Sequence, residues 1–84
     1  MNLLRLRVKE VAQEKNVGMA KLSRLSDISY KTVQKIWRNP YHDASISTIN
    51  RIAKVLSVPA TDLLEDVSED EVPEEYRISP ILNR

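Results

Sequence analysis

An all-α fold, five short helices around one core, is what this sequence predicts, and three observations predict it. Apolar residues recur at spacings of three and four through most of the chain. No strand alternation is sustained enough to nominate a sheet. One stretch, Gly18 to Trp37, divides into two short helical patterns across a tight polar turn, and the rest is organised around it.

The elements follow in order. Met1 to Leu6 reads as a lead-in or a frayed first turn. From about Arg5 to Lys15, Leu4, Val8, Val11 and Ala12 recur with helical spacing. Asn16 reads as the stop, because Asn tolerates a left-handed backbone, and Val17 then packs inward. Gly18 opens the second helix, which runs to about Ser26 and carries Leu22 and Leu25 three apart. Asp27 takes the turn, and Ser29 caps the third helix by accepting from a free backbone N–H. That helix runs from about Tyr30 to Trp37, with Val33, Ile36 and Trp37 on one face and Tyr30, Lys31, Gln34 and Lys35 on the other. Pro40 ends it, since proline disfavours helix at Asn39.

Residues 38–44 read as a polar loop and Ser45 as the N-cap of a fourth helix. There Ile46, Ile49, Ile52, Ala53 and Leu56 make one apolar stripe. Its β-branched residues are mediocre helix formers, so this helix depends on packing. Pro59 is suited to start a short fifth helix, Ala60 to about Glu65, with Leu63 and Leu64 closing the core. After Asp66 come prolines, a run of acids and no sustained periodicity. The reading is one domain over residues 1–65 and an acidic tail over 66–84, flexible or docked as an extended arm.

Composition narrows the function classes. With 84 residues there is room for one modest core, and 42% apolar content is enough to fill it. The absence of Cys excludes disulfides, thiol catalysis and Cys-based zinc sites, and His42 alone builds no metal site. No apolar run approaches a membrane span, and charge interrupts the first eight residues too early for a secretory signal. A soluble, cytoplasmic protein is expected. The net charge of +1 conceals a division. Residues 1–64 hold 11 Lys and Arg against 5 Asp and Glu, a net +6; residues 65–84 hold 2 against 7, a net −5. A basic folded part suits a polyanion.

The order of elements resembles the lambda-repressor-like DNA-binding domain of the Cro/C1-type (XRE family) helix-turn-helix. The matching residues are Leu22-Ser23, Ile28-Ser29, Thr32-Val33, Ile36, and Ile46 through Leu56 followed by Val58 and Asp62-Leu63-Leu64. The likeness covers about residues 5–65. Two departures stand out. Asp27 holds the turn position usually filled by Gly. Many members also join an Arg in helix 1 to a Glu ending helix 3, where this chain has Ala12 and Trp37. Apolar packing can replace such a pair at no net loss, so Trp37 is expected to lie over Ala12.

The resemblance implies a helix-turn-helix at helices 2 and 3, with base contacts from Tyr30, Lys31, Thr32, Gln34 and Lys35. Lysine suits the O6 and N7 acceptors of guanine, and glutamine the N6/N7 pair of adenine. The plain alternative is a solvated helix face, and Thr32 serves equally well as part of a cap. Phosphate contacts are expected from Gly18, Met19, Lys21, Ser29, Arg38, Asn39, Ser45 and Ile46. Backbone amides opening helices 2 and 4 would supply some of them, and Arg24 would assist. Tyr41 and His42 read as loop decoration.

The implied function is a sequence-specific DNA-binding transcriptional regulator, a repressor by default. It would read the major groove of double-stranded DNA with helix 3, as a homodimer. The alternative is an antitoxin-like or accessory protein–protein interaction module using residues 66–84, with Tyr76, Ile78, Ile81 and Leu82 meeting a protein partner. No Gly-rich phosphate loop or nucleophile motif supports an enzyme, and no cofactor is implied. A core this small also disfavours a built-in small-molecule sensor.

Overall fold

In the computed structural model, residues 2–76 are described, and the first element is a strand. β1 (Asn2–Leu6) precedes four helices: α1 (Val8–Glu14), α2 (Met19–Ser26), α3 (Tyr30–Arg38) and α4 (Ile46–Leu56). A 3-10 turn (Ala60–Leu63) leads into β2 (Leu64–Ser68), and further 3-10 turns follow at Glu69–Glu71 and Glu74–Tyr76. Among the described residues the fold is therefore mostly helical, four α-helices with one two-stranded sheet.

The sheet corrects the expected lead-in. β1 and β2 run antiparallel with Leu3 opposite Val67, Arg5 opposite Glu65 and Leu6 opposite Leu64. Beyond the ladder, the Leu6 N–H donates to the Pro40 carbonyl at 2.6 Å and the Arg7 N–H to the Leu63 carbonyl at 2.8 Å. These bonds fasten the start of the chain to the loop after α3 and to the turn after α4. Side chains on a strand alternate, so Leu6 is buried while Arg5 bonds Glu10 at 2.6 Å and Glu65 at 3.4 Å. Burial pushes the Glu10 carboxyl up, but the Arg5 hydrogen bond and nearby positive charge hold it below the usual range. Helix α1 consequently starts at Val8, and Leu4, counted with the helical stripe, is a strand residue 58% exposed.

The expected fifth helix is only the 3-10 turn. After Leu63 the chain is drawn straight into β2, so no second helical turn forms. Leu63 is fully buried nonetheless, and Leu64 packs on the core edge. The expected boundary at residue 65 falls inside β2. Val72 beyond it is buried, and the Tyr76 ring meets Tyr41 in the loop after α3. Ile78, Ile81 and Leu82, assigned above to a partner contact, lie outside the described residues.

The core collects Val8, Val11 and Ala12 from α1, Leu22 from α2, Val33 and Ile36 from α3, and Ile49, Ile52, Ala53 and Leu56 from α4. Two stripe residues are not in it. Leu25 is 52% exposed and Ile46 80% exposed. Leu25 is next to the last residue of α2 and Ile46 is the first of α4.

Three helices end alike, and none uses glycine. Asn16 (φ 59°), Asp27 (φ 58°) and Ser57 (φ 57°) are left-handed. In each case the next residue's N–H reaches back five positions: Val17 to the Ala12 carbonyl, Ile28 to Ser23 and Val58 to Ala53. That pattern satisfies the last free carbonyls of a helix, and the following apolar residue packs against it. Val17, Ile28 and Val58 all sit on the core. Asn and Asp tolerate this backbone better than Ser does. Ser57→Gly should therefore stabilise the fold by about 0.5 kcal/mol, the relief of strain exceeding glycine's added chain entropy. A thermal melt should show a rise of roughly 2–4 °C; a fall would contradict the left-handed ending of α4.

Candidate nucleic-acid interface

The α2–α3 unit is built by short-range bonds. The Ser23 hydroxyl donates to the Ile28 carbonyl at 2.5 Å, closing the turn, and the buried Ser26 hydroxyl donates to the Leu22 carbonyl at 2.5 Å. From α4, the Arg51 guanidinium donates to the Asp27 carbonyl at 3.4 Å. The turn between the two helices is thus held from both sides. No sequence signal pointed to Arg51, because its partner is 24 residues away.

Ser29 starts α3 as expected. Its hydroxyl oxygen accepts from the Thr32 N–H at 3.2 Å, and its O–H donates to Thr32 Oγ1 at 2.9 Å. Thr32 is therefore part of the cap, with its hydroxyl oxygen as an acceptor there. Ser45 repeats the arrangement at α4, accepting from the Thr48 N–H at 3.1 Å and donating to Thr48 Oγ1 at 3.0 Å.

Helix α3 is two-sided. Val33 and Ile36 are buried, and Trp37 is half-buried against the core cluster that includes Ala12. Tyr30, Lys31 and Lys35 are exposed on the other side, with Gln34 half-buried among them. Residues four apart neighbour one another on a helix, so Tyr30–Gln34 and Lys31–Lys35 form adjacent rows. Among the described residues neither lysine is in an ion pair. The ion pairs there are those of Arg5. The face combines two cations, an amide and a phenol on a rigid support, with their donors directed at solvent.

The expected phosphate set divides. Gly18 is the N-cap of α2, exposed, with open space where a Cβ would stand. Met19 follows it with its side chain on the core, which leaves only its backbone N–H for a ligand. Lys21 and Arg38 are exposed on α2 and at the end of α3. The Asn39 carboxamide is turned into its own loop, where Oδ1 accepts from the Tyr41 N–H at 3.0 Å. At α4, Ser45 and Ile46 are both exposed. Tyr41 does more than decorate the loop, since its ring packs on Tyr76 with centroids 5.3 Å apart. His42 is half-buried beside it.

A free, donor-rich helix, fixed by its buried side to a second helix across a tight turn, is the geometry with which helix-turn-helix proteins enter a major groove. Comparison with curated proteins gave no match. Comparison with family models matched residues 7–69 to the Cro/C1-type HTH DNA-binding domain. That span takes in α1 to α4, the 3-10 turn and β2. No described helix is long and apolar enough to cross a membrane. With three quarters of its length matched, the chain belongs to the Cro/C1-type helix-turn-helix family of DNA-binding domains.

Proposed function

We propose that this protein is a sequence-specific, non-enzymatic transcriptional regulator, a repressor acting in the cytoplasm, that reads duplex DNA with the outer face of α3. The observation that carries the reading is the unpaired Lys31–Gln34–Lys35 face lying opposite buried Val33 and Ile36. Lys31, Gln34 and Lys35 serve as base-edge readers, with Tyr30 on a thymine methyl or a phosphate. Thr32, part of the cap through its oxygen, keeps its O–H to donate to the DNA. Phosphates are met by the amides at Gly18, Met19 and Ile46, by Ser29, Asn39 and Ser45, and by Lys21 and Arg38. Two copies bind together, because one module of this size covers limited DNA and pairing multiplies affinity. Blocking a promoter needs only occupancy, which makes repression the simplest outcome.

Selection of sites from random duplexes, followed by a salt series on the winner, tests this. The expected result is a two-fold-related motif whose affinity falls steeply with salt. No enriched motif, or salt-independent binding, overturns it.

Ser29 offers a sharper discrimination. Ser29→Asp keeps a capping oxygen and adds a charge that the start of a helix favours. Thermal stability should hold or rise slightly, while DNA affinity falls at least about tenfold through repulsion from phosphate. Equal affinity would remove Ser29 from the interface.

A further inference from the structure

We propose that the cleft where β1 and the start of α1 meet the end of α3 is a phosphate subsite, in which Lys9 and Arg38 hold one backbone phosphate of a duplex lying on α3. The cleft encloses about 140 Å³, and its walls include Arg5, Lys9, Glu10, Trp37, Arg38 and Pro40. Sites for whole small ligands run to roughly 300–1,000 Å³, so this one has room for a single group. Its lining carries three cations against one acid, a net +2. Arg5 is engaged by Glu10 at 2.6 Å and by Glu65 at 3.4 Å, which neutralises the acid in the cleft. Lys9 and Arg38 are exposed and, among the described residues, in no ion pair. The walls are held in place, since the Leu6 N–H donates to the Pro40 carbonyl at 2.6 Å and Trp37 packs on the core.

Position selects the anion. Lys31, Lys35 and Arg38 stand four and then three residues apart, so they form one row along α3, and the cleft lies at the end of that row. Seven residues of helix rise about 10 Å, close to the ~12 Å width of the major groove. With Lys31 and Gln34 on base edges, Arg38 stands where the groove ends and the sugar–phosphate backbone begins. Lys9 lines the same cleft from α1, so two separate helices bring a free cation to one place. A phosphate carries no sequence information, and the subsite therefore fixes the orientation of α3 on the duplex rather than the choice of base. The assignment rests on the reading of α3 as the DNA-facing helix.

Trp37 is the chain's single tryptophan, so its emission reports on the cleft without a label. The full chain is titrated at several salt concentrations with the duplex chosen by site selection and with one of arbitrary sequence. Binding of either should change the Trp37 emission. Lys9→Ala should weaken both duplexes alike, by about threefold to tenfold, and should flatten the slope of log affinity against log salt by about 0.9, the share of one phosphate. Lys9→Arg should restore the slope. Lys54→Ala, which removes another exposed lysine near the end of α4, should leave the slope as it is. Thermal melts of these variants should match the parent's, because both lysines are exposed. An unchanged slope for Lys9→Ala, on a duplex that the parent binds, overturns the subsite alone. So does an equal flattening by Lys54→Ala, or Trp37 emission that binding leaves unmoved. A parent that binds neither duplex overturns the DNA reading and this subsite together.

Discussion

Replacing Tyr30, Lys31, Gln34 and Lys35 together by alanine is expected to abolish specific DNA binding, by at least ~100-fold, while leaving the protein folded. One good side-chain pairing to a base contributes about 1–3 kcal/mol of discrimination, so loss of two suffices for that factor. The fold should be nearly indifferent. Tyr30, Lys31 and Lys35 are exposed and Gln34 half-buried, none is ion-paired among the described residues, and alanine is a strong helix former. The anchors of α3, Val33, Ile36 and the Ser29 cap, are untouched. Residual binding should be non-specific and should depend less steeply on salt, since two cations have gone. A titration of the selected duplex, beside a thermal melt, checks both halves. Affinity within threefold of the parent, with the melt unchanged, would mean that DNA meets another surface.

Leu63→Ala is expected to be the most disruptive single truncation for stability, at about 2–5 kcal/mol. Leu63 has no exposed surface, and its carbonyl accepts the Arg7 N–H. It therefore joins the helical core to the sheet. A chain this small has roughly 5–10 kcal/mol of stability in total, so the variant should be marginal at 37 °C. Leu25→Ala is the matched control. The same atoms are removed from a side chain that is 52% exposed, and the loss should stay below ~1 kcal/mol. Urea unfolding of both variants decides the matter through the midpoint at constant slope. Equal losses would mean that the burial pattern of α2 is misassigned.

Much of the candidate interface was legible because its signals are local. Ser29 accepts an N–H three residues ahead, Asp27 turns the chain at a left-handed position, and Pro40 stops α3. Each bond or conformation spans a few residues, so a short window of sequence contains both partners. The exposed face of α3 followed from the same periodicity that buried Val33 and Ile36. What misled was periodicity near helix ends. Leu25 and Ile46 obey the spacing but stand at helix ends and stay exposed. Leu4 fits two patterns, the helical spacing toward Val8 and the alternation Leu4-Arg5-Leu6, and the strand uses the second.

Local signals were enough for the four α-helices, the serine caps of α3 and α4, the turn within Gly18–Trp37 and the split between a basic body and an acidic end. That Asn2–Leu6 is a strand, that Leu64–Ser68 pairs with it and that no fifth helix forms depend on contacts between distant segments. A helix closes its hydrogen bonds within itself, so its residues declare it. A strand's bonds belong to another segment, here some sixty residues away, and five residues with unpaired N–H and C=O groups say nothing of which segment will meet them.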